Sequence, residues 1–304
     1  MNKKEFIDII NDMVITDLAT SDNNITVELH DVIKNNGLIL TGLIIKDANT
    51  NIAPTIYLDD FYSRFSDGLL SLEDTVSEII KIYMQHKRNS ITLDWIQDFE
   101  KVKDKIIPCI CNTNLNTSFL EEHPSTTFLD LSIYYRIQLS TDILEQDDAT
   151  ATIAITNQLA DTWGISPEEL NTIAFENAAT ISPSSFKTMF EVLGEMIPDT
   201  DTMFDAAQAL TPMYVLSNSS KVDGAVWMAN KDVLESIANL LSDNFYLLPS
   251  SKNETIIIPS SVSQDEESLK SMIREVSDSE VSKTDFLSYS LYKYDKSSHE
   301  LMIA

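Results

Sequence analysis

The chain has 304 residues, with 48 acidic side chains against 21 basic ones, a formal charge of −27, six glycines, four histidines and two cysteines. So acidic a surface repels phosphate backbones and anionic headgroups, which argues against direct nucleic-acid binding and membrane attachment. An apolar content of 43% still supports a packed core, in two domains or one large one.

Phe6, Ile9, Ile10, Met13 and Val14 recur at helical spacing, which predicts an amphipathic helix over 3–19. Strand-like runs follow at 25–29 and 38–46. Asn35-Asn36-Gly37 lies between them, and an Asn-Gly pair between apolar runs signals a hairpin. A third run, 52–58, ends at Asp59-Asp60, and a longer helix is predicted at about 72–87. Residues 105–111 and 126–140 read as strands, the second long and rich in β-branched and aromatic residues. Ser166-Pro167-Glu168-Glu169 combines an N-cap serine, a first-turn proline and a capping-box glutamate, so a helix starts there and runs to about 179.

Pro198–Thr202 and Thr211-Pro212 suggest a linker. Beyond it, Tyr214–Leu216, Tyr246–Leu248 and Tyr289–Leu291 each open a short β-like run. Strands at 225–229 and 255–258, helices at 231–241 and 266–276, and a last strand at 301–303 complete a ββα-ββα-ββ pattern. The expectation is an α+β protein with antiparallel strands flanked by helices: an N-terminal unit over 1–200 and a ββα-repeat unit over 201–304.

Cys109 and Cys111 would share one face of a strand as reduced core thiols. Glu5, Asp8 and Asp12 interrupt the apolar residues of the N-terminus, and no apolar run reaches the length of a membrane span, so the expected location is cytoplasmic. The glycines at 37, 42, 68, 164, 194 and 224 form neither a dinucleotide loop nor a nucleophile elbow. Gly37 and Gly42 have P-loop spacing, but Leu43 stands where the lysine belongs. His30, His86, His123 and His299 are scattered and form no ligand or base motif. The sequence thus assigns no catalytic residue, cofactor or metal.

Two features remain as candidate partner-binding sites. Asp59 and Asp60, framed by Tyr57 and Tyr62, offer adjacent carboxylates to a partner or a cation, or one of them N-caps a short helix over 60–66. Between Lys105 and Lys187 stand eleven acidic residues and one cation, Arg136. Glu121, Glu122, Asp147 and Asp148 are the acids of that stretch singled out as a docking surface for a basic protein. Asp199-Thr200-Asp201 opens like a calcium loop but lacks its later ligands and its glycine.

The segments LTGLIIKDANTNIAPTIYLDDFY (40–62), ITNQLADTWGISPEELNTIAFEN (155–177), MYVLSN (213–218) and FYLLPSS (245–251) resemble a family of uncharacterised acidic proteins of similar length from gut-dwelling Firmicutes, described only as a domain of unknown function. The C-terminal third is also similar to a second uncharacterised family of Bacillus-type bacteria. That family has a basic residue just after the proline of its strand-turn, where this chain has Ser250-Ser251 before Lys252. The resemblance implies a bacterial source and no activity. The leading expectation is a non-enzymatic intracellular binding or regulatory protein that engages a protein partner through its acidic surface. The alternatives are a hydrolase-like enzyme with a spatially assembled carboxylate or Cys/His site, and an acidic nucleic-acid mimic that inhibits a DNA-binding protein.

Overall fold

The computed structural model describes residues 1–19, 25–47, 55–86, 94–139, 151–196, 212–263 and 265–304. The chain is α+β, with antiparallel sheets flanked by helices, and it falls into two units, Met1–Trp95 and Ile96–Ala304. The expected boundary at 200 differs from this division, because it separates two strands that are hydrogen-bonded neighbours in one sheet, Ser184–Thr188 and Tyr214–Asn218.

The first unit contains α1 (Lys3–Ala19), β1 (Ile25–Ile33), β2 (Ile39–Asp47), β3 (Thr55–Tyr57), α2 (Leu58–Ser66) and α3 (Leu72–His86). Its three strands pair in the order β1-β2-β3. Asn36 and Gly37 both take positive φ, 61° and 68°, so the Asn-Gly pair supplies the left-handed turn that its sequence predicts. Alternation along β2 sends Leu43 and Ile45 inward, where they meet Phe6, Ile10 and Val14 of α1 and Ile79 of α3.

The second unit opens with α4 (Phe99–Val102), β4 (Ile106–Asn112), α5 (Thr117–Glu122), β5 (Ser125–Phe128), β6 (Leu131–Leu139) and β7 (Ala151–Ala154). β6 pairs with β4 along one edge, and with β5 and then β7 along the other. The single long strand expected over 126–140 is therefore a hairpin. Phe128 faces Leu131 across a turn in which Leu129 adopts a φ of 55°, a conformation a leucine rarely takes and its sequence does not announce. Asp130 holds that turn: its carboxylate accepts hydrogen bonds from Tyr292 (2.7 Å), Ser288 (2.6 Å) and Ser290 (2.9 Å).

Next come α6 (Asn157–Trp163), α7 (Pro167–Ile181), β8 (Ser184–Thr188), α8 (Met189–Met196), β9 (Tyr214–Asn218), α9 (Lys231–Leu241), β10 (Phe245–Pro249), β11 (Thr255–Pro259), α10 (Glu266–Ser279), β12 (Tyr292–Asp295) and β13 (Glu300–Ile303). The Ser166–Glu169 capping box is complete in both directions. Gly164, at a φ of 67°, ends α6 just before it. Six strands form an antiparallel sheet in the order β13-β12-β10-β11-β9-β8.

The ββα-ββα-ββ pattern needs correction at two places. Residues 225–229 are not a strand but part of a buried 3-10 helix, Gly224–Ala229, because β9 already has β11 on one edge and β8 on the other. Gly224 makes this path possible: a Cβ there would stand 2.4 Å from Ser217 Oγ and 2.7 Å from backbone atoms of Asn218 and Asn253. The last hairpin begins at Tyr292, so Tyr289–Leu291 lies outside it. The proposed linker at 198–202 and the acidic pair Asp199 and Asp201 lie outside the described residues.

Candidate functional site

Two groups of sequence-selected carboxylates lie in different units. In the first unit, β3 ends at Tyr57, whose pair with Gly42 is the last of that ladder, which leaves Thr41, the next residue of β2, without a partner in β3. Asp59 Oδ2 accepts the Thr41 N–H at 2.8 Å. Its Oδ1 is 2.5 Å from Lys3 Nζ. Asp59 thus stands in for a missing strand, and both its oxygens are engaged within the unit. Neither aspartate N-caps the helix, which begins earlier than expected, at Leu58; both sit in its first turn, where negative charge meets the positive end of the helix dipole. Asp60 is exposed and 3.9 Å from Arg64. Tyr57 lies under Lys34, whose ammonium is 4.2 Å from the ring centre, and Tyr62 packs on Phe6.

In the second unit Glu121 and Glu122 are exposed at the end of α5. Asn157 Nδ2 donates to the backbone oxygen of Glu121 at 2.8 Å, which ties the start of α6 to these acids. Asp161 on α6 and Glu168, Glu169 and Glu176 on α7 are exposed as well, and neither helix contains a lysine or an arginine. Glu169 has its carboxylate held below the usual range by the Ser166 N–H and hydroxyl. Asp147 and Asp148 lie outside the described residues.

Arg136, the one cation of the stretch, does not share that surface. Its side chain is 27% exposed and donates to Asp223 Oδ2 at 3.1 Å and to Tyr134 Oη at 2.5 Å. Asp223 comes from the turn before the Gly224–Ala229 helix, so this ion pair joins β6 to the six-stranded sheet within the second unit. The charge that would offset the acids is spent inside the fold.

Cys109 and Cys111 face Tyr134 and Phe119 in a small buried cluster. Burial pushes both thiols up to about 12, and the Cys109 thiol points to Asp223 Oδ2 at 3.8 Å, so neither is an activated nucleophile. His123 stacks on Phe119 at 3.9 Å and is hydrogen-bonded to that residue's carbonyl; His30 pairs with Glu28. Among the described residues, no three metal-ligating side chains of the His, Cys, Asp and Glu types converge, and no helix is long and apolar enough to cross a membrane.

Sequence reasoning missed a polar cavity of about 250 Å³ in the second unit, lined by β8, α8, β9 and the turn between β10 and β11. Its charged members are Lys187, Glu195, Lys221 and Glu254, which no spacing rule connects. A larger groove of about 490 Å³ lies in the first unit, where Asp12, Asp17 and Glu73 surround Met13 and Val76.

Searches of curated proteins and of solved structures match nothing to this chain. One sequence family does match, over residues 3–296, and its description is a family of unknown function, DUF5688. With nearly the whole sequence matched, the chain belongs to the DUF5688 family.

Proposed function

We propose that the protein is a non-enzymatic intracellular binding or regulatory protein that engages a basic protein through the acidic surface of its second unit. The observation that carries this reading is the engagement of Arg136 by Asp223 and Tyr134. The sequence stretch has eleven acids and one cation, and among the described residues that cation is taken up by Asp223. Glu121, Glu122, Asp161, Glu168 and Glu176, on three successive helices, are exposed acids of that stretch among the described residues. Their summed field steers a positively charged partner and repels an anionic one. The Cys/His enzyme reading gains no support, since both thiols are buried and protonated. Asp59 and Asp60 fit a structural role better than a catalytic one, because Asp59 has no free oxygen.

Capture from native lysate at low salt tests the proposal. The full chain serves as bait beside a variant with Glu121, Glu122, Asp161, Glu168 and Glu176 changed to glutamine. Glu169 is spared because it caps α7. The expected result is a basic protein retained by the parent, eluted by salt and absent from the variant. Identical retention by both baits would refute the proposal.

A further inference from the structure

The cavity of the second unit is built across neighbouring strands. Ser185 of β8 pairs with Ser217 of β9, and Glu254, one residue before the Thr255–Leu216 pair, falls opposite the same Ser217. Cross-strand partners share a sheet face, so the three side chains form a row along one wall. Above them α8 contributes Glu195, which receives two ammonium groups, Lys221 at 2.8 Å and Lys187. Two lysines on one carboxylate leave a surplus of one positive charge, an exception in a chain of net −27.

Glu254 is the complement. It is half-buried, and no donor among the described residues lies within hydrogen-bond distance of its carboxylate. Burial raises its pKa, against the pull of the Lys221 charge. Asn253 is fixed beside it, its Oδ1 accepting the Asp223 N–H at 3.0 Å and its backbone oxygen accepting from Ser217 at 2.7 Å. The wall cannot relax easily, because Gly224 packs against Ser217 Oγ and the Asn253 backbone with no space for a side chain.

We infer that this cavity binds a small dipolar ion, an α-amino acid, whose carboxylate meets Lys187 and Lys221 and whose ammonium meets Glu254. A simple anion would leave the Glu254 carboxyl facing it unpaired, and a simple cation would face two lysines. An apolar molecule would desolvate every charge without pairing one, which is the costliest outcome. The volume is below the roughly 300–1,000 Å³ of drug-sized pockets, which suits a molecule of a few heavy atoms.

The test uses the full chain and the standard α-amino acids, offered singly at about 10 mM in thermal-shift and calorimetric titrations, where a ligand of millimolar Kd already raises stability measurably. Each amino acid that binds is compared with its N-acetyl derivative, which lacks the ammonium, and with its decarboxylated amine. The expected result is binding of at least one amino acid, with both analogues and the Glu254→Gln variant about tenfold weaker or worse. Glutamine keeps the shape of Glu254 and removes an unpaired charge, so the variant folds. Lys221→Gln, on an exposed side chain, gives a second reading of the opposite end, with the same expected weakening. Failure of every amino acid to bind overturns the inference, as does equal binding by Glu254→Gln or by the acetylated form. The outcome is independent of whether a basic protein is captured.

Discussion

Arg136 shows what a single side chain can decide. Removing it would leave Asp223, 14% exposed, without its counter-charge and Tyr134 without its donor. Arg136→Ala should therefore destabilise the protein by about 3 kcal/mol, the low end of the range for breaking a buried pair, since the guanidinium keeps some solvent contact. The double change Arg136→Met with Asp223→Asn should cost less than the single one, because no orphaned charge remains and asparagine tolerates the left-handed φ of 53° at that position. Urea unfolding measures both; a single variant within 1 kcal/mol of the parent would show that the pair is not structural.

Glu254 makes the opposite prediction. Its pKa is higher folded than unfolded, so between those two values the folded chain holds more proton than the unfolded one. The stability it contributes is full below the unfolded pKa and is lost as pH rises through the folded pKa. Without ligand, Glu254→Gln should raise the melting temperature at neutral pH and match the parent once the pH drops below the ordinary carboxylate range. A variant that melts lower than the parent at neutral pH would mean that Glu254 is paired after all.

Among the elements, α7 is held by the chemistry at its ends. Tyr135, buried in β6, has its hydroxyl 2.6 Å from Thr126 Oγ1, 3.2 Å from the Pro167 carbonyl and 3.3 Å from Asn171 Oδ1. The phenol is pushed up to about 12, chiefly by burial. At the other end, Trp227 Nε1 donates to the Ser182 carbonyl at 3.2 Å. Tyr135→Phe keeps the ring but strands these partners, and should cost about 1–2 kcal/mol in thermal unfolding; no loss would mean that water satisfies them equally well.

What could be read from the sequence at this scale was local. The Ser166–Glu169 box and the Asn36-Gly37 turn are chemistries contained within four residues, and both stand where they were expected. The 3-10 path of 225–229 was hidden because it depends on strands β8 and β11 closing both edges of β9, a fact remote from those residues. The Leu129-Asp130 turn was hidden for a related reason: no glycine marks it, and its support comes from Ser288, Ser290 and Tyr292 far along the chain. The cavity residues were invisible for the same cause, since Lys187 and Glu254 approach through sheet register and Lys221 joins them from the turn after β9.

For the whole molecule, composition becomes meaningful only after folding. The net charge of −27 belongs to the sequence, but its effect depends on which charges remain outside. Arg136 is half-buried and taken up by Asp223 and Tyr134 in the second unit, Asp59 is absorbed by Lys3 and Thr41 in the first, and Glu121, Glu122, Asp161, Glu168 and Glu176 stay exposed. An acidic surface of this kind contributes more to encounter and selectivity than to fold stability, so neutralising it should leave unfolding nearly unchanged while weakening association. The most direct measurement is the affinity of the captured basic protein for the parent and for the five-glutamine variant across a series of salt concentrations. The expected result is a parent affinity that falls steadily with salt and a variant about tenfold weaker at low salt, with a flatter dependence. Equal affinities with parallel salt dependence would place the binding surface elsewhere on the molecule and contradict the proposed function.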